Sequence, residues 1–276
     1  MNEYFLAVVL GIIEGFTEFL PISSTAHLRI AQYFIGISLD DEFWKLFAVF
    51  IQLGAILAVV VYFRKKLWLL CRSFWSSKKK FSSLINHPFT LVMAAFAVTA
   101  LPAFLLHKII GKNLESLWIM ASSLIIGGII MWIVDVLCKK PTTIDFEKTR
   151  WPQALWIGLI QITAAVFPGT SRSMSTIAAA QIAGLSRSAA LEFSFFLSIP
   201  TMIAATCYDF LKFLKMEETI TFSPHQLSLL FIGTIVSFIV ALAVIAWFLY
   251  WVKSRGFIPF AAYRIFLGII LIILLK

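Results

Sequence analysis

Residues 10–28 read LGIIEGFTEFLPISSTAHL, an apolar segment that carries two glutamates and is interrupted at Pro21. Proline lacks the N–H that a helix interior needs, and the small hydroxyl residues after it favour the start of a new helix. The apolar region 4–35 is therefore predicted to form two helices, each shorter than the about 20 residues that span a bilayer. Such a pair enters the membrane and returns on the same side, with its break surrounded by protein or a wet cavity.

A second broken region, 152–184, resembles the first. Its break reads PGTSRS, and Pro21 and Ser24 meet Pro168 and Ser171 at a constant offset of 147 residues. Interrupted segments at matching positions of two halves are typical of inverted-repeat membrane proteins, in which the binding site lies at the interface of the repeats. The sequence therefore predicts two related hairpins that contribute to one site.

The rest of the chain is also apolar. Charged residues make up 13% of the sequence, about half the share in soluble domains. The net charge of +9 is not organised into a basic stripe on polar structure, which argues against nucleic acid as a partner. We predict an all-α integral membrane protein of six transmembrane helices plus two re-entrant helix–loop–helix hairpins. The six predicted spans are 43–63, 89–107, 115–137, 190–211, 226–251 and 257–275.

Three predicted spans follow each broken region. The chain therefore divides into repeat one, 1–137, and repeat two, 150–276, within a single membrane domain, 1–276. Because three is odd, the repeats must be inverted, and Lys and Arg favour the cytoplasmic side. This rule places the first hairpin on the outer side and the second on the inner side, with their tips meeting near the midplane. The lysine- and arginine-rich loops assigned to the cytoplasm are 64–88, 138–152 and 252–256.

Glu14 and Glu18 are the most informative charges, because ionisable residues inside a bilayer indicate function by default. They are four residues apart and so share one helix face. Two carboxylates this close repel each other, so they either share a proton or hold a cation. Mg²⁺ and Ca²⁺ both prefer carboxylate and phosphate oxygens. We expect a divalent cation, Mg²⁺ or Ca²⁺, at Glu14 and Glu18.

The hydroxyl residues after Pro21 supply a nucleophile. Ser24 and His27 share a face of the helix that starts there, so the imidazole can activate the hydroxyl. Alternatively, His27 attacks phosphorus itself or donates a proton to the leaving group. Ser23 and Thr25 are expected to bind substrate.

Arg172 gives the second break a positive charge. A guanidinium is a fork that fits phosphate oxygens, and helix N-termini also favour anions. The other reading of Arg172 is an ion pair with Glu14 or Glu18. The hydroxyl residues expected to bind substrate around it are Thr170, Ser171, Ser173 and Thr176.

Several further charges lie within the predicted spans. Glu192 and Arg264 are expected to pair with each other between helices, because charges inside a membrane usually pair. Neither is assigned a role in the chemistry.

Both breaks resemble a known family. Residues 10–28 resemble the signature of the bacitracin-resistance type undecaprenyl pyrophosphate phosphatases, and PGTSRS at 168–173 resembles that family's second motif. LEFSFFLSIPT at 191–201 and IQLGAILAV at 51–59 are similar to it as well. The resemblance runs from end to end, and the two site motifs are long and specific.

The resemblance implies hydrolysis of undecaprenyl pyrophosphate to undecaprenyl phosphate and inorganic phosphate. That reaction recycles the lipid carrier for cell-wall synthesis and gives bacitracin resistance. It further implies a divalent cation, a multi-pass protein of the bacterial cytoplasmic membrane, and a site that opens to the outer face. The implied partners are the polyprenyl pyrophosphate substrate and membrane lipids, and a homodimer is left open. The family's catalytic motif residues fall on Glu14, Glu18, Ser24, His27 and Arg172.

The sequence departs from the family pattern at two positions. Ala26 and Met174 stand where the family usually has glycine. Both substitutions add bulk beside the predicted hairpin tips and remove no functional group. They therefore affect the expected shape of the pocket more than its chemistry.

A transporter or lipid flippase is the alternative function. Inverted repeats with broken helices are a common design of secondary transporters, and a proton-coupled carrier can use paired glutamates. The serine and histidine opposite an arginine favour hydrolysis over transport.

Overall fold

The computed structural model describes residues 2–38, 41–77, 81–114, 116–216 and 222–275. Over these ranges the chain is helical, with one isolated backbone bridge between Thr143 and Leu185. A 3₁₀ helix spans Phe146–Lys148. The α-helices, in chain order, are α1 Glu3–Thr17, α2 Ser24–Ile35, α3 Glu42–Tyr62, α4 Arg64–Ser77, α5 Phe81–Ile85, α6 Pro88–Leu105, α7 His107–Leu114, α8 Leu117–Leu137, α9 Trp151–Val166, α10 Arg172–Ile182, α11 Arg187–Met216, α12 Pro224–Arg255 and α13 Ile258–Leu274.

Five of these helices, α3, α6, α8, α11 and α12, are long and apolar enough to cross a membrane. They correspond to five of the six predicted spans, so the prediction of an all-α, multi-pass membrane protein is confirmed. The sixth predicted span is α13, an apolar helix of 17 residues, at the lower limit for crossing the hydrocarbon core. The count of six spans and the inverted repeat stay predictions.

Both predicted helix breaks are present. In the first, α1 ends at Thr17 and α2 begins at Ser24; in the second, α9 ends at Val166 and α10 begins at Arg172. The four helices have 15, 12, 16 and 11 residues. Each is too short to span a bilayer comfortably. The entry of these hairpins into the membrane, and their return on the same side, stay predictions.

The prediction of a loop at 64–88 is wrong, because α4 and α5 occupy much of that segment. Its charge density lowered the hydropathy, but α4 alternates cations with large apolar residues, which is typical of a helix at a membrane surface. Trp68 and Trp75 are exposed on it, and the Arg72 guanidinium lies 5.3 Å from the Trp68 ring centroid. The predicted loop at 252–256 is similarly occupied by the last turn of α12, which continues to Arg255.

The chain forms two compact units. The first contains Met1–Phe19, Ser24–Tyr62 and Ser198–Trp247. Helix α1 approaches α12 closely at Gly15, where an added Cβ would lie 2.5 Å from the Ser237 carbonyl oxygen. Because Gly15 directly follows Glu14, this close packing holds the part of α1 that carries Glu14 against α12. The core of the unit contains Leu6, Ala7, Leu10, Leu28, Ile37, Trp44, Phe47, Ile51, Leu229 and Leu230.

The second unit contains Leu20–Ser23, Phe63–Leu197 and Phe248–Lys276. Its helices α8 and α13 pack together, as do α6 and α9. Buried Asp135, at the end of α8, accepts hydrogen bonds from the Arg187 side chain at 2.7 Å and from the Phe257 N–H at 2.9 Å. This carboxylate joins the start of α11 and the start of α13 to α8. Each unit draws on both predicted repeats, so the repeat boundaries stay a prediction.

Candidate active site

Helix α1 carries both glutamates of the first break. Glu18 keeps helical backbone angles at the end of α1, and its N–H donates to the Glu14 carbonyl oxygen at 2.9 Å. Side chains four residues apart on helical backbone lie on the same face. Glu14 and Glu18 therefore share a face, with Glu14 fully buried and Glu18 half-buried.

Ser24 contacts one of these carboxylates. Its hydroxyl donates to Glu18 Oε2 at 2.5 Å, and the serine is buried as the first residue of α2. His27 follows three residues later in the same helix and is half-buried. The sequence suggested imidazole as the partner of Ser24, but the structure places the hydroxyl on a carboxylate. A charged acceptor strengthens and orients such a hydrogen bond.

The two breaks share an uncommon backbone conformation. Ser23 has φ +74° and Ser171 has φ +72°, and each serine immediately precedes a helix. Positive φ is uncommon for residues other than glycine, so its occurrence at both sites indicates a shared turn. The Ser171 hydroxyl also caps α10 by accepting from the Met174 N–H at 3.3 Å.

This shared turn corrects the register of the two motifs. Ser23 and Ser171 are 148 positions apart (171 − 23), as are the first helical residues Ser24 and Arg172. The constant offset of 147, which paired Ser24 with Ser171, is therefore wrong after the break. From its proline to the first residue of the next helix, the second break is one residue longer than the first (172 − 168 = 4 against 24 − 21 = 3), which a gapless comparison cannot register. When the two motifs are aligned on this turn, Ser24 of the first corresponds to Arg172 of the second.

Arg172 is held by a backbone carbonyl group. Its Nη1 donates to the Ser194 carbonyl oxygen on α11 at 3.3 Å, and the side chain is half-buried. This contact fixes the direction of the guanidinium fork, which suits recognition of phosphate oxygens. Ser194 lies in the stretch 191–201, yet the sequence assigned it no role; its place two residues after Glu192 was the available signal.

The hydroxyl residues of the second break divide into two groups. Ser173 and Thr176 are buried and engaged inside the protein: Ser173 bonds Ser171 at 2.9 Å, and Thr176 bonds the Ser194 hydroxyl at 2.7 Å. These contacts stabilise the start of α10. Thr170 and Ser171 of the second break are half-buried, as is Thr25 of the first break, whereas Ser23 is buried.

The second motif also contacts the backbone of the first break. Ser173 donates to the Leu20 carbonyl oxygen at 2.9 Å, and both residues belong to the second unit. Arg264, from α13, donates to the Pro21 carbonyl oxygen at 3.0 Å and to that of Gly169 at 2.9 Å. Segments from the two predicted repeats are therefore joined through the backbone of their breaks.

The expected ion pair between Glu192 and Arg264 is wrong. Glu192 pairs with Lys66 at 2.8 Å, and Lys66 also pairs with Glu147 at 2.8 Å. Burial opposes the charge of Lys66, but the two carboxylates outweigh it and raise its pKa above 10.5. Burial likewise opposes the charge of Glu147, and the Lys66 contact outweighs it and lowers the Glu147 pKa below 4.5. Glu192 thus pairs with Lys66 of α4, and Arg264 donates to backbone carbonyl oxygens.

The bulk of Met174 is accommodated by a glycine. Met174 is buried, and a Cβ added at Gly127 of α8 would lie only 2.7 Å from its Cε. Ala26, the other departure, is fully buried in α2. The methionine therefore packs into the space beside Gly127 of α8.

The carboxylates of the first break fit a hard divalent cation. Glu14 and Glu18 offer oxygen ligands from one helix face, which suits Mg²⁺ or Ca²⁺. Within the described ranges, no group of three or more His, Cys, Asp or Glu side chains is arranged to hold a metal. A cation at these two carboxylates would complete its shell with water and substrate phosphate oxygens, as Mg²⁺ commonly does.

Comparison with known proteins agrees with these features. A model of the family described as bacitracin resistance protein BacA matches residues 7–270. A protein of Koribacter versatilis named undecaprenyl-diphosphatase is 55% identical over 98% of this chain and 97% of its own length. Proteins of the same name from a Bradyrhizobium species and from Xylella fastidiosa are 43% and 40% identical, over 97% and 99% of this chain and 96% and 98% of their own lengths. The chain therefore belongs to the bacitracin resistance protein BacA family.

Proposed function

We propose that this protein is an undecaprenyl-diphosphatase, which hydrolyses undecaprenyl pyrophosphate to undecaprenyl phosphate and inorganic phosphate. The product is the lipid carrier of cell-wall synthesis, and its recycling gives bacitracin resistance. The observation that carries the proposal is the hydrogen bond from the Ser24 hydroxyl to the Glu18 carboxylate. Relatives that share up to 55% of its residues and carry this enzyme name support it.

Ser24 is proposed as the nucleophile. Its oxygen forms a bond to the terminal phosphorus as Glu18 accepts the hydroxyl proton, and the bond between that phosphorus and the bridging oxygen breaks. His27 donates a proton to the departing undecaprenyl phosphate. Water then forms a bond to the phosphorus and gives a proton to His27, while the bond from phosphorus to the Ser24 oxygen breaks and Glu18 returns its proton to that oxygen. Inorganic phosphate is released. The alternative, in which His27 attacks phosphorus directly, predicts that Ser24→Ala retains activity while His27→Ala does not.

Glu14 and Glu18 would hold a divalent cation, which neutralises charge on the phosphate oxygens when bound. Arg172 binds a phosphate oxygen and stabilises the charge that develops on the transferred group. Ser23, Thr25, Thr170 and Ser171 are proposed to contact the substrate. Ser173 and Thr176 are proposed to act indirectly, because their hydroxyl groups bond protein atoms at the start of α10.

The protein is proposed to lie in the bacterial cytoplasmic membrane as an inverted repeat, with two re-entrant hairpins and the site open to the outer face. The distribution of Lys and Arg supports this orientation. Cys71 is exposed on α4, which the orientation places in the cytoplasm. A variant that keeps only Cys71 should react with an impermeant maleimide in opened cells and not in intact cells. Labelling in intact cells would reverse the orientation.

Phosphate release by the purified protein in detergent tests the function. Undecaprenyl pyrophosphate is supplied with Mg²⁺ or Ca²⁺, with EDTA, and to an Arg172→Ala variant. Release that EDTA and the variant both abolish supports a metal-dependent phosphatase. No release by folded protein with any cation would overturn the proposal in favour of a lipid transporter. Light scattering of the same preparation measures the oligomeric state, which the sequence leaves open.

A further inference from the structure

Arg264 is a fully buried charge, and its hydrogen-bond partners among the described residues are backbone carbonyl groups. Its guanidinium donates to the carbonyl oxygens of Pro21, Gly169 and Ser123 at 3.0, 2.9 and 3.2 Å. The side chain has no exposed surface, and it lies within an apolar helix. A charge at such a place is expensive and indicates a function by default. Helix packing alone needs no cation there.

Two of its acceptors occupy equivalent positions in the two breaks. Pro21 lies three residues before Ser24, the first residue of α2, and Gly169 lies three residues before Arg172, the first residue of α10. Pro21 and Gly169 are thus 148 positions apart, the same spacing as the two serines with positive φ. One guanidinium therefore bonds the same carbonyl of both turns.

The surrounding helices leave room for this guanidinium. An added Cβ at Gly127 of α8 would lie 2.4 Å from Arg264 Nη2, and one at Gly128 would lie 3.3 Å from Arg264 Cβ. The third acceptor, Ser123, is on the same helix. The planar fork can reach several carbonyl oxygens at once, which an ammonium group does less well.

We propose that Arg264 is a positioning residue for the phosphatase reaction. It holds the carbonyl groups of Pro21 and Gly169 and so fixes the two turns that lead into Ser24 and Arg172. Arg264 itself does not contact the substrate. Its effect on catalysis rests on the proposed function, whereas its effect on the backbone of the turns does not.

Hydrogen–deuterium exchange tests the backbone effect directly. Arg264→Gln and Gly127→Ala should speed amide exchange in peptides that cover 18–25 and 167–174. Gly268→Ala is the matched control, because its Cβ would crowd Ile125 and Ala121 between the same two helices, away from the guanidinium. We expect slow exchange in both turns of the control. Equal exchange in all three variants, or unchanged exchange in Arg264→Gln, would overturn the proposal.

Turnover tests the catalytic consequence. Misplacement of reacting groups by about 1 Å can lower rates by about a hundredfold, so we expect that loss of kcat in Arg264→Gln, with KM changed less than about threefold. Arg264→Lys, which keeps the charge and loses the fork, should recover about tenfold of it. Thermal unfolding in detergent shows how much of each variant is folded.

Besides the two exchange results above, three outcomes overturn the inference. The first is wild-type kcat in folded Arg264→Gln. The second is a loss of kcat in Gly268→Ala that equals that of Gly127→Ala, since packing between α8 and α13 then explains both. The third, which applies if Arg264→Gln does not fold, is unchanged exchange and kcat in Gly127→Ala. Wild-type protein in the same assay separately tests the phosphatase function.

Discussion

The first break and the second break have the same backbone turn and opposite chemistry. Each has a proline, a serine with positive φ and a short helix that follows. At the first helical position, however, the first break has Ser24 beside the Glu18 carboxylate, whereas the second has Arg172. The same backbone turn can thus carry different side chains. In the proposed mechanism, one turn supplies acceptors and a nucleophile, and the other supplies a cation for the phosphate.

The largest expected effect comes from the acidic break. Glu18→Gln removes the charged partner of Ser24 and one proposed cation ligand, and we expect phosphate release to fall about a thousandfold. The matched control is Glu3→Gln, on the exposed first turn of the same helix. Glu3 contacts His225 at the surface, and loss of such an exposed pair should keep activity within about twofold of wild type. Activity of Glu18→Gln near that of wild type would remove the chemical distinction between the breaks.

The basic break should show a smaller effect. Arg172→Lys keeps the charge but loses the fork, so we expect kcat to fall about a hundredfold. Arg255→Lys, an exposed arginine whose guanidinium lies over the Trp251 ring, is the control and should leave kcat unchanged. If lysine serves at 172 as well as arginine does, the second break contributes only charge and no directed bond.

The shared turn predicts a difference in stability. Ser171→Ala loses the hydroxyl that caps α10 but keeps a Cβ, and hence the strain, at φ +72°. We expect this variant to destabilise the fold by about 1–2 kcal/mol. Ser171→Gly relieves the backbone, so its loss should be only a few tenths of a kcal/mol. Thermal unfolding in detergent measures both. The same order at Ser23 would support the equivalence of the breaks, and the reverse order would contradict it.

The smallest expected effect is on the pH dependence of stability, and it comes from a residue outside both breaks. His87 caps α6: its Nδ1 accepts from the Phe89 N–H, and its Nε2 lies 2.9 Å from the Ser73 hydroxyl. Burial lowers the pKa of His87 below 6.5, so the fold favours neutral imidazole. The stability this gives is fully present above pH 6.5 and is lost as the pH falls through the lowered value.

His87→Asn keeps a capping side chain that does not titrate. We expect its unfolding temperature to depend less on pH between 7 and 5 than that of the wild type. Parallel curves for the two proteins would show that another group controls the acid response. Because His87 is remote in sequence from both breaks, the pH dependence of kcat should be unaffected by this change.

Local sequence was sufficient for the two breaks. Proline followed by a run of small hydroxyl residues favours the end of one helix and the start of another, and both breaks are present as predicted. The spacing of Glu14 and Glu18 likewise placed them on one face, since α1 keeps its helical backbone to Glu18. Cation-rich α4 lies where the sequence predicts a loop, because hydropathy alone does not separate an amphipathic surface helix from a connection.

The sequence by itself determined the membrane class, the paired breaks and the residue types of the candidate site, because these depend on composition and on contacts within a few residues. Only the tertiary structure decided which acceptor each polar group reaches. Ser24 bonds Glu18 and not His27, Glu192 pairs with Lys66, and Arg264 holds carbonyl groups. The physical reason is that a buried charge takes whichever partner packing brings within about 3 Å, and packing joins residues that are far apart in the chain.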